Sequence, residues 1–94
     1  MEIVGFHHKG LERFWARNDT RGIPAKNAEK LRAMLAAIEE AVSLRDMERY
    51  PGWRLHRLSG NRADVFSMVV TRNLRLTFRV RKDAVEDVDL EDYH

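Results

Sequence analysis

Residues 74–81 read Leu74-Arg75-Leu76-Thr77-Phe78-Arg79-Val80-Arg81. Apolar side chains alternate with three arginines and a threonine along the whole stretch. Successive side chains of a β-strand point to opposite faces, so this period of two describes a strand with one buried face and one arginine-rich face. Immediately upstream, Val65-Phe66-Ser67-Met68-Val69-Val70 is a more continuous apolar strand, and Arg72-Asn73 between the two reads as a tight hairpin turn. Trp53 to Leu58 is a candidate preceding strand and Val85 to Leu90 a following one.

Working back from Tyr50-Pro51-Gly52, which punctuates the chain, the period changes. Ala28, Leu31, Leu35, Ile38 and Val42 recur at spacings of three and four, one apolar stripe over about four helical turns. Pro24, after the break at Arg21-Gly22-Ile23, suits the first turn of that helix. Leu11, Phe14 and Trp15 mark a shorter helix beginning at Lys9, and Glu2 to Phe6 reads as a short first strand. The expected architecture is α+β, with residues 1–94 as one domain. Two antiparallel N-terminal helices pack on one face of a twisted, mainly antiparallel sheet of about four strands. They are expected to cover Leu74, Leu76, Phe78 and Val80 and to leave the arginine face open.

Composition narrows the class. An apolar share of 44% with 34% charged residues suits a globular domain rather than a disordered chain. No apolar run approaches the ~18 residues of a membrane span. The first residues lack the basic and apolar regions of an export signal, so the cytoplasm is the expected compartment. Without cysteine there is no disulfide framework, thiolate metal site or thiol nucleophile.

The net charge of +2 conceals a polar distribution. Residues 1–48 are neutral overall, residues 49–82 sum to +8 and residues 83–94 to −6. A basic block beside an acidic tail suggests a polyanion-binding surface with carboxylates close by. The plainer consequence, that the tail pairs with the block across the sheet, is compatible with it.

Strand parity puts Arg54 and His56 on one side, and Arg75 and Arg79 on the open face of the next strand pair. The chain ends Glu91-Asp92-Tyr93-His94. Cleavage of RNA through its own 2′-hydroxyl needs a base, an acid for the leaving 5′-oxygen, and cationic donors for the phosphate. Histidine titrates near neutrality and suits the first two roles, while the arginine fork suits the third. Tyrosine can stack on a base, and a carboxylate can orient an imidazole. Neither a metal nor another cofactor is called for. Taken singly, each of these residues has a plainer reading: a structural histidine, a solvated arginine face, a frayed terminus.

Other residues read as structural. His7-His8 has no partner at metal-ligand spacing. Phe14, Trp15 and Trp53 read as packing, Met34 and Met47 as gap fillers, and Glu39-Glu40 as the solvated side of the long helix. Asp83, Glu86 and Asp87 read as solubilising a turn. Lys26, Lys30 and Arg32 are candidates for phosphate neutralisation on ribosomal RNA.

Several stretches together resemble the HigB branch of the RelE/ParE toxins over nearly the whole chain. They are Phe6-His7-His8-Lys9-Gly10-Leu11, Gly22-Ile23-Pro24-Ala25, Leu55-His56-Arg57-Leu58-Ser59-Gly60-Asn61-Arg62, Asn73-Leu74-Arg75-Leu76-Thr77-Phe78 and Glu91-Asp92-Tyr93-His94. The resemblance implies a compact RelE-like fold and cleavage of mRNA in the decoding site of the translating ribosome. It further implies that His56 and His94 are the acid and base, that Arg75 stabilises the scissile phosphate, and that Asp92 and Tyr93 orient or contact the RNA. Arg54, Arg57, Arg62 and Arg79 are the neighbouring cations that would grip its backbone. The implied partner is a helix-turn-helix antitoxin of the HigA type, through which alone the toxin meets DNA. One departure stands out: Ser59 occupies a position where such toxins carry a lysine. Arg57 and Arg62 are the cations left to replace it, and a regular strand turns Arg57 to the other face. Two other activities fit the same fold: a ParE-like gyrase poison, and a non-catalytic module that binds RNA or protein. A gyrase poison has no need for His56, Arg75 and His94 to converge.

Overall fold

The computed structural model of the chain describes residues 1–92. Its elements are strand β1 (Glu2–Ile3), helix α1 (Lys9–Arg17), helix α2 (Ala28–Glu40) and strands β2 (His56–Arg57), β3 (Val65–Thr71), β4 (Leu74–Arg81) and β5 (Ala84–Asp92). Short 3-10 turns at Ala25–Asn27, Leu44–Arg49, Pro51–Trp53 and Gly60–Arg62 join them. The strands form one sheet in the order β1-β5-β4-β3-β2. All neighbours are antiparallel except β1, which lies parallel to β5. The α+β arrangement is the expected one, with five strands in place of four.

The alternation in β4 does what its period dictates. Leu74, Leu76 and Phe78 are buried under the helical layer, and Val80 is half-buried at the edge of the same core. Leu31, Met34, Leu35 and Ile38 of α2 and Leu11 and Phe14 of α1 supply the other side. Burying a side chain of this size contributes roughly 1.5–3 kcal/mol. Met34 and Met47 are both buried in that core, as gap fillers would be. The stripe ends sooner than its spacing suggests. Helix α2 stops at Glu40, and Val42 is 84% exposed. The Val42 amide is bound by the Asp46 carboxylate at 2.8 Å, which fixes the chain as it leaves the helix. Pro24 stands ahead of α2, separated from it by the turn Ala25–Asn27.

His8 proves to be the N-cap of α1, its Nδ1 accepting from the Leu11 amide at 2.9 Å. Asn18 ends the same helix in the left-handed conformation (φ 57°).

The expected strand from Trp53 to Leu58 shrinks to His56–Arg57. Pro51 and Gly52 close a 3-10 turn, with the Arg54 amide bonded to the Pro51 carbonyl at 3.2 Å. Arg54 itself is left-handed (φ 50°) and redirects the chain into β2. The first strand is likewise shorter than expected, ending at Ile3, although Phe6 still bridges to Val88.

Candidate functional site

Cross-strand partners share a face, so register alone assembles the open side of the sheet. His56 faces Ser67, which faces Thr77, which faces Asp89. The adjoining row is Val69, Arg75 and Glu91. His56 and Arg75, far apart in the chain, therefore lie on one face of neighbouring rows. They line a single depression of about 380 Å³ together with Arg54, Leu58, Ser67 and Val69. Arg54 reaches it although it precedes β2, because its left-handed backbone carries the side chain around to the strand's open side.

Hydrogen bonds fix the two central groups. His56 Nδ1 lies 3.0 Å from the Arg54 carbonyl oxygen. A carbonyl only accepts, so Nδ1 carries the proton and a neutral ring keeps its lone pair on Nε2. Arg75 Nη1 donates to the Thr71 carbonyl at 2.9 Å and the Arg72 carbonyl at 3.1 Å, anchoring the guanidinium over the β3–β4 turn.

A second depression of about 200 Å³ adjoins on the same face, between His7, Arg62, Thr77, Arg79 and the carboxylates of Asp87, Asp89 and Glu91. Here the basic block meets the acidic tail. Arg62 holds Glu91 through two bonds of 3.1 and 2.6 Å, and Thr77 donates to Glu91 Oε2 at 2.6 Å. Arg62, with help from Thr77, holds the Glu91 carboxyl below its ordinary range against the opposing effect of burial. Arg79 bridges Asp87 at 2.7 Å and Asp64 at 2.8 Å, and Arg81 meets Glu86 at 3.3 Å. Glu86 and Asp87 thus serve as ion-pair partners, where the sequence had suggested solubilising residues of a turn. Asp87 reaches Arg79 because β5 bulges there, with Asp87 left-handed (φ 54°).

The remaining predicted residues scatter. Arg57 pairs in register with Phe66 and lies over its ring at 5.2 Å, on the face away from His56. Asp92 is in register with Leu74, which sets it on the face opposite Arg75; its placement with the catalytic cluster is not what the register gives. Tyr93 and His94 lie outside the described residues. Lys26, Lys30 and Arg32 belong to the helical layer. Lys26 is exposed, Lys30 Nζ donates to the Val70 carbonyl at 2.6 Å, and Arg32 bonds Asn18 and lies 4.8 Å from the Phe14 ring centre. Ser67, Val69 and Glu91 were missed as site residues. Ser67 is the one polar residue in an otherwise apolar run, and that was the available signal.

Residues 4–94 match the family described as RelE-like toxin of type II toxin-antitoxin system HigB. The chain belongs to this family. It is 33% identical over 92 residues to the protein named Endoribonuclease HigB from Proteus vulgaris, covering 98% of this chain and 99% of the relative. Among solved structures it is similar to a YoeB/ParE toxin from Agrobacterium tumefaciens (TM-score 0.59, 20% identity, all of both chains covered). It is also similar to the toxin fold in a YoeB-YefM complex from Staphylococcus aureus (TM-score 0.57, 15% identity, 100% and 99% covered). At those identities the solved structures speak for the fold. Membership of a type II toxin–antitoxin family makes an antitoxin the natural partner of this HigB-like toxin. Among the described residues no helix is long and apolar enough to cross a membrane.

Proposed function

We propose that this toxin is a ribosome-dependent endoribonuclease that cuts mRNA in the decoding site and so stops translation in the cytoplasm. The observation that carries the reading is the single depression shared by Arg54, His56 and Arg75. The relative named as an endoribonuclease supports the same activity. With Nδ1 tied to a carbonyl, His56 Nε2 is the atom that exchanges a proton with the RNA. Arg75 and Arg54 offer charged donors to a phosphate that gains negative charge as the 2′-oxygen attacks. His94 is the second acid–base group by resemblance, with Tyr93 contacting or orienting the RNA at the same site. Lys26, Lys30 and Arg32 neutralise ribosomal phosphates. The antitoxin is a helix-turn-helix protein of the HigA type.

A shallow, open site with a few donors does not hold a flexible 2′-hydroxyl in line by itself, so the ribosome presents the message. The test is a cell-free translation reaction with mapped mRNA ends. Ribosome-requiring cuts inside codons, lost on deleting His94, are expected. Efficient cutting of naked RNA overturns the ribosome dependence. Intact message with damaged DNA favours a gyrase poison instead.

A further inference from the structure

The segment after β2 is pinned to the sheet by charges of both signs. Arg62, on the loop, is held by Glu91 of β5, and Asp64, two residues on, is held by Arg79 of β4. Arg79 is held in turn by Asp87 of β5. The loop carries one cation and one anion, and the sheet presents the complement. Ser67 and Thr77 are only 3% and 4% exposed although both belong to the open face. Strand β2, by contrast, has only two residues to hold it to β3, with one further bond from the Leu58 amide to the Val65 carbonyl at 2.8 Å. So short an edge strand has little pairing of its own to resist movement.

We propose that the crossed Arg62–Glu91 and Asp64–Arg79 clamp is a positioning device: it fixes the loop over the sheet and thereby holds His56 in its place beside Arg75. Arg62 and Arg79 then act through the loop, with their guanidinium groups committed to carboxylates and not to RNA phosphates. Isolated exposed ion pairs contribute little, but this set is networked, bidentate at Glu91 and backed by a buried hydroxyl donor. Its effect is directed at geometry, where a displacement of about 1 Å can cost a hundredfold in rate.

The consequence for catalysis rests on the nuclease reading; the consequence for structure does not, and the experiment has an arm for each. In the activity arm, Arg62→Ala and Glu91→Gln are compared with the charge swap combining Arg62→Glu and Glu91→Arg. Glu91→Gln keeps an acceptor for Thr77, which guards against simple unfolding. The single variants are expected to lower kcat about ten- to a hundredfold with KM for programmed ribosomes little changed, and the swap to recover most of the loss. A raised KM at unchanged kcat for Arg62→Ala, with no recovery in the swap, identifies a phosphate contact and overturns the clamp. In the structural arm, hydrogen exchange at the Leu58 amide and the His56 imidazole NMR signals are followed in the free protein. Faster exchange and shifted signals in both single variants support the clamp even if the wild-type chain cuts no RNA. Unchanged exchange and signals overturn it whatever the activity.

Discussion

Gly10 of α1 and Gly22 of the following loop meet backbone to backbone. A Cβ added at Gly22 would lie 2.6 Å from the Gly10 Cα, and one added at Gly10 would overlap the Gly22 carbonyl. Glycine within a helix ordinarily costs about 1 kcal/mol relative to alanine, so Gly10→Ala should stabilise an isolated helix. Here the sign reverses. The variant is expected to lose about 1–3 kcal/mol, because neither backbone can retreat without disturbing Leu11, which is fully buried. For a domain of this size that is a fall in Tm of several degrees per kcal/mol. Thermal unfolding of Gly10→Ala with a Tm at or above wild type would dispose of the close approach.

His56 is exposed and Arg75 half-buried, so neither is a substantial part of the core. His56→Gln is therefore expected to reduce mRNA cleavage by about two to four orders of magnitude with folding stability nearly unchanged. Arg75→Lys keeps the charge but loses the paired fork and should fall to an intermediate rate. Mapped cleavage products and urea unfolding curves on the same preparations separate the two effects. Wild-type cleavage by His56→Gln removes that residue from the chemistry.

Glu91 gives the stability a pH signature. Its carboxyl is held below the ordinary 4.5 chiefly by the Arg62 bonds. A depressed folded value means that the stabilisation is complete above the unfolded value and is lost as pH falls through the folded one. Glu91→Gln does not titrate. The stability gap between it and wild type should be widest near neutrality and narrow once the pH drops below about 4.5. Urea unfolding midpoints across that range check it, and a gap independent of pH would refute it.

Three basic side chains of the helical layer should divide by their contacts. Lys26 makes no structural demand at its exposed position, whereas Lys30 bonds a strand carbonyl and Arg32 bonds Asn18. Lys26→Glu should weaken ribosome binding and flatten its salt dependence by about one counterion, leaving stability alone. Lys30→Gln and Arg32→Gln should affect stability as well. Sedimentation with ribosomes at several salt concentrations measures the slope, and an unaltered slope in Lys26→Glu contradicts the phosphate contact.

What could be read in the sequence was what depends on local periodicity. The alternation of Leu74 to Val80 set one face of β4 in the core and Arg75 on the other, and strand parity put His56 on the same side as Arg75. Periodicity has no information on where a helix stops, and Val42 continued the pattern into solvent. It could not foresee Arg54 in a left-handed conformation, because that follows from the closed turn at Pro51–Trp53. Nor could it see the partners of Arg62 and Arg79, since these depend on the bulged register of β5 and on a loop meeting a strand 29 residues further along the chain. The excess of six negative charges in residues 83–94 did announce that partners existed. Asp92 was misplaced for the same reason: its face is decided by pairing with Leu74, not by proximity to the end of the chain.

The bulge at Asp87 shifts the phase of everything beyond it. Val85 and Val88 both enter the core although they are three residues apart, an odd interval that an unbroken strand would split between faces. Removing the single residue Asp87 would close the bulge and restore the even interval, so that Val88 and Leu90 stay toward the apolar layer and Asp89 and Glu91 stay on the open face. Substituting it by asparagine or glycine would leave the order intact. In this strand a point deletion at Asp87 and one at Leu90 are therefore different classes of lesion: the first leaves each later side chain on its own side of the molecule, the second puts Glu91 where an apolar residue belongs.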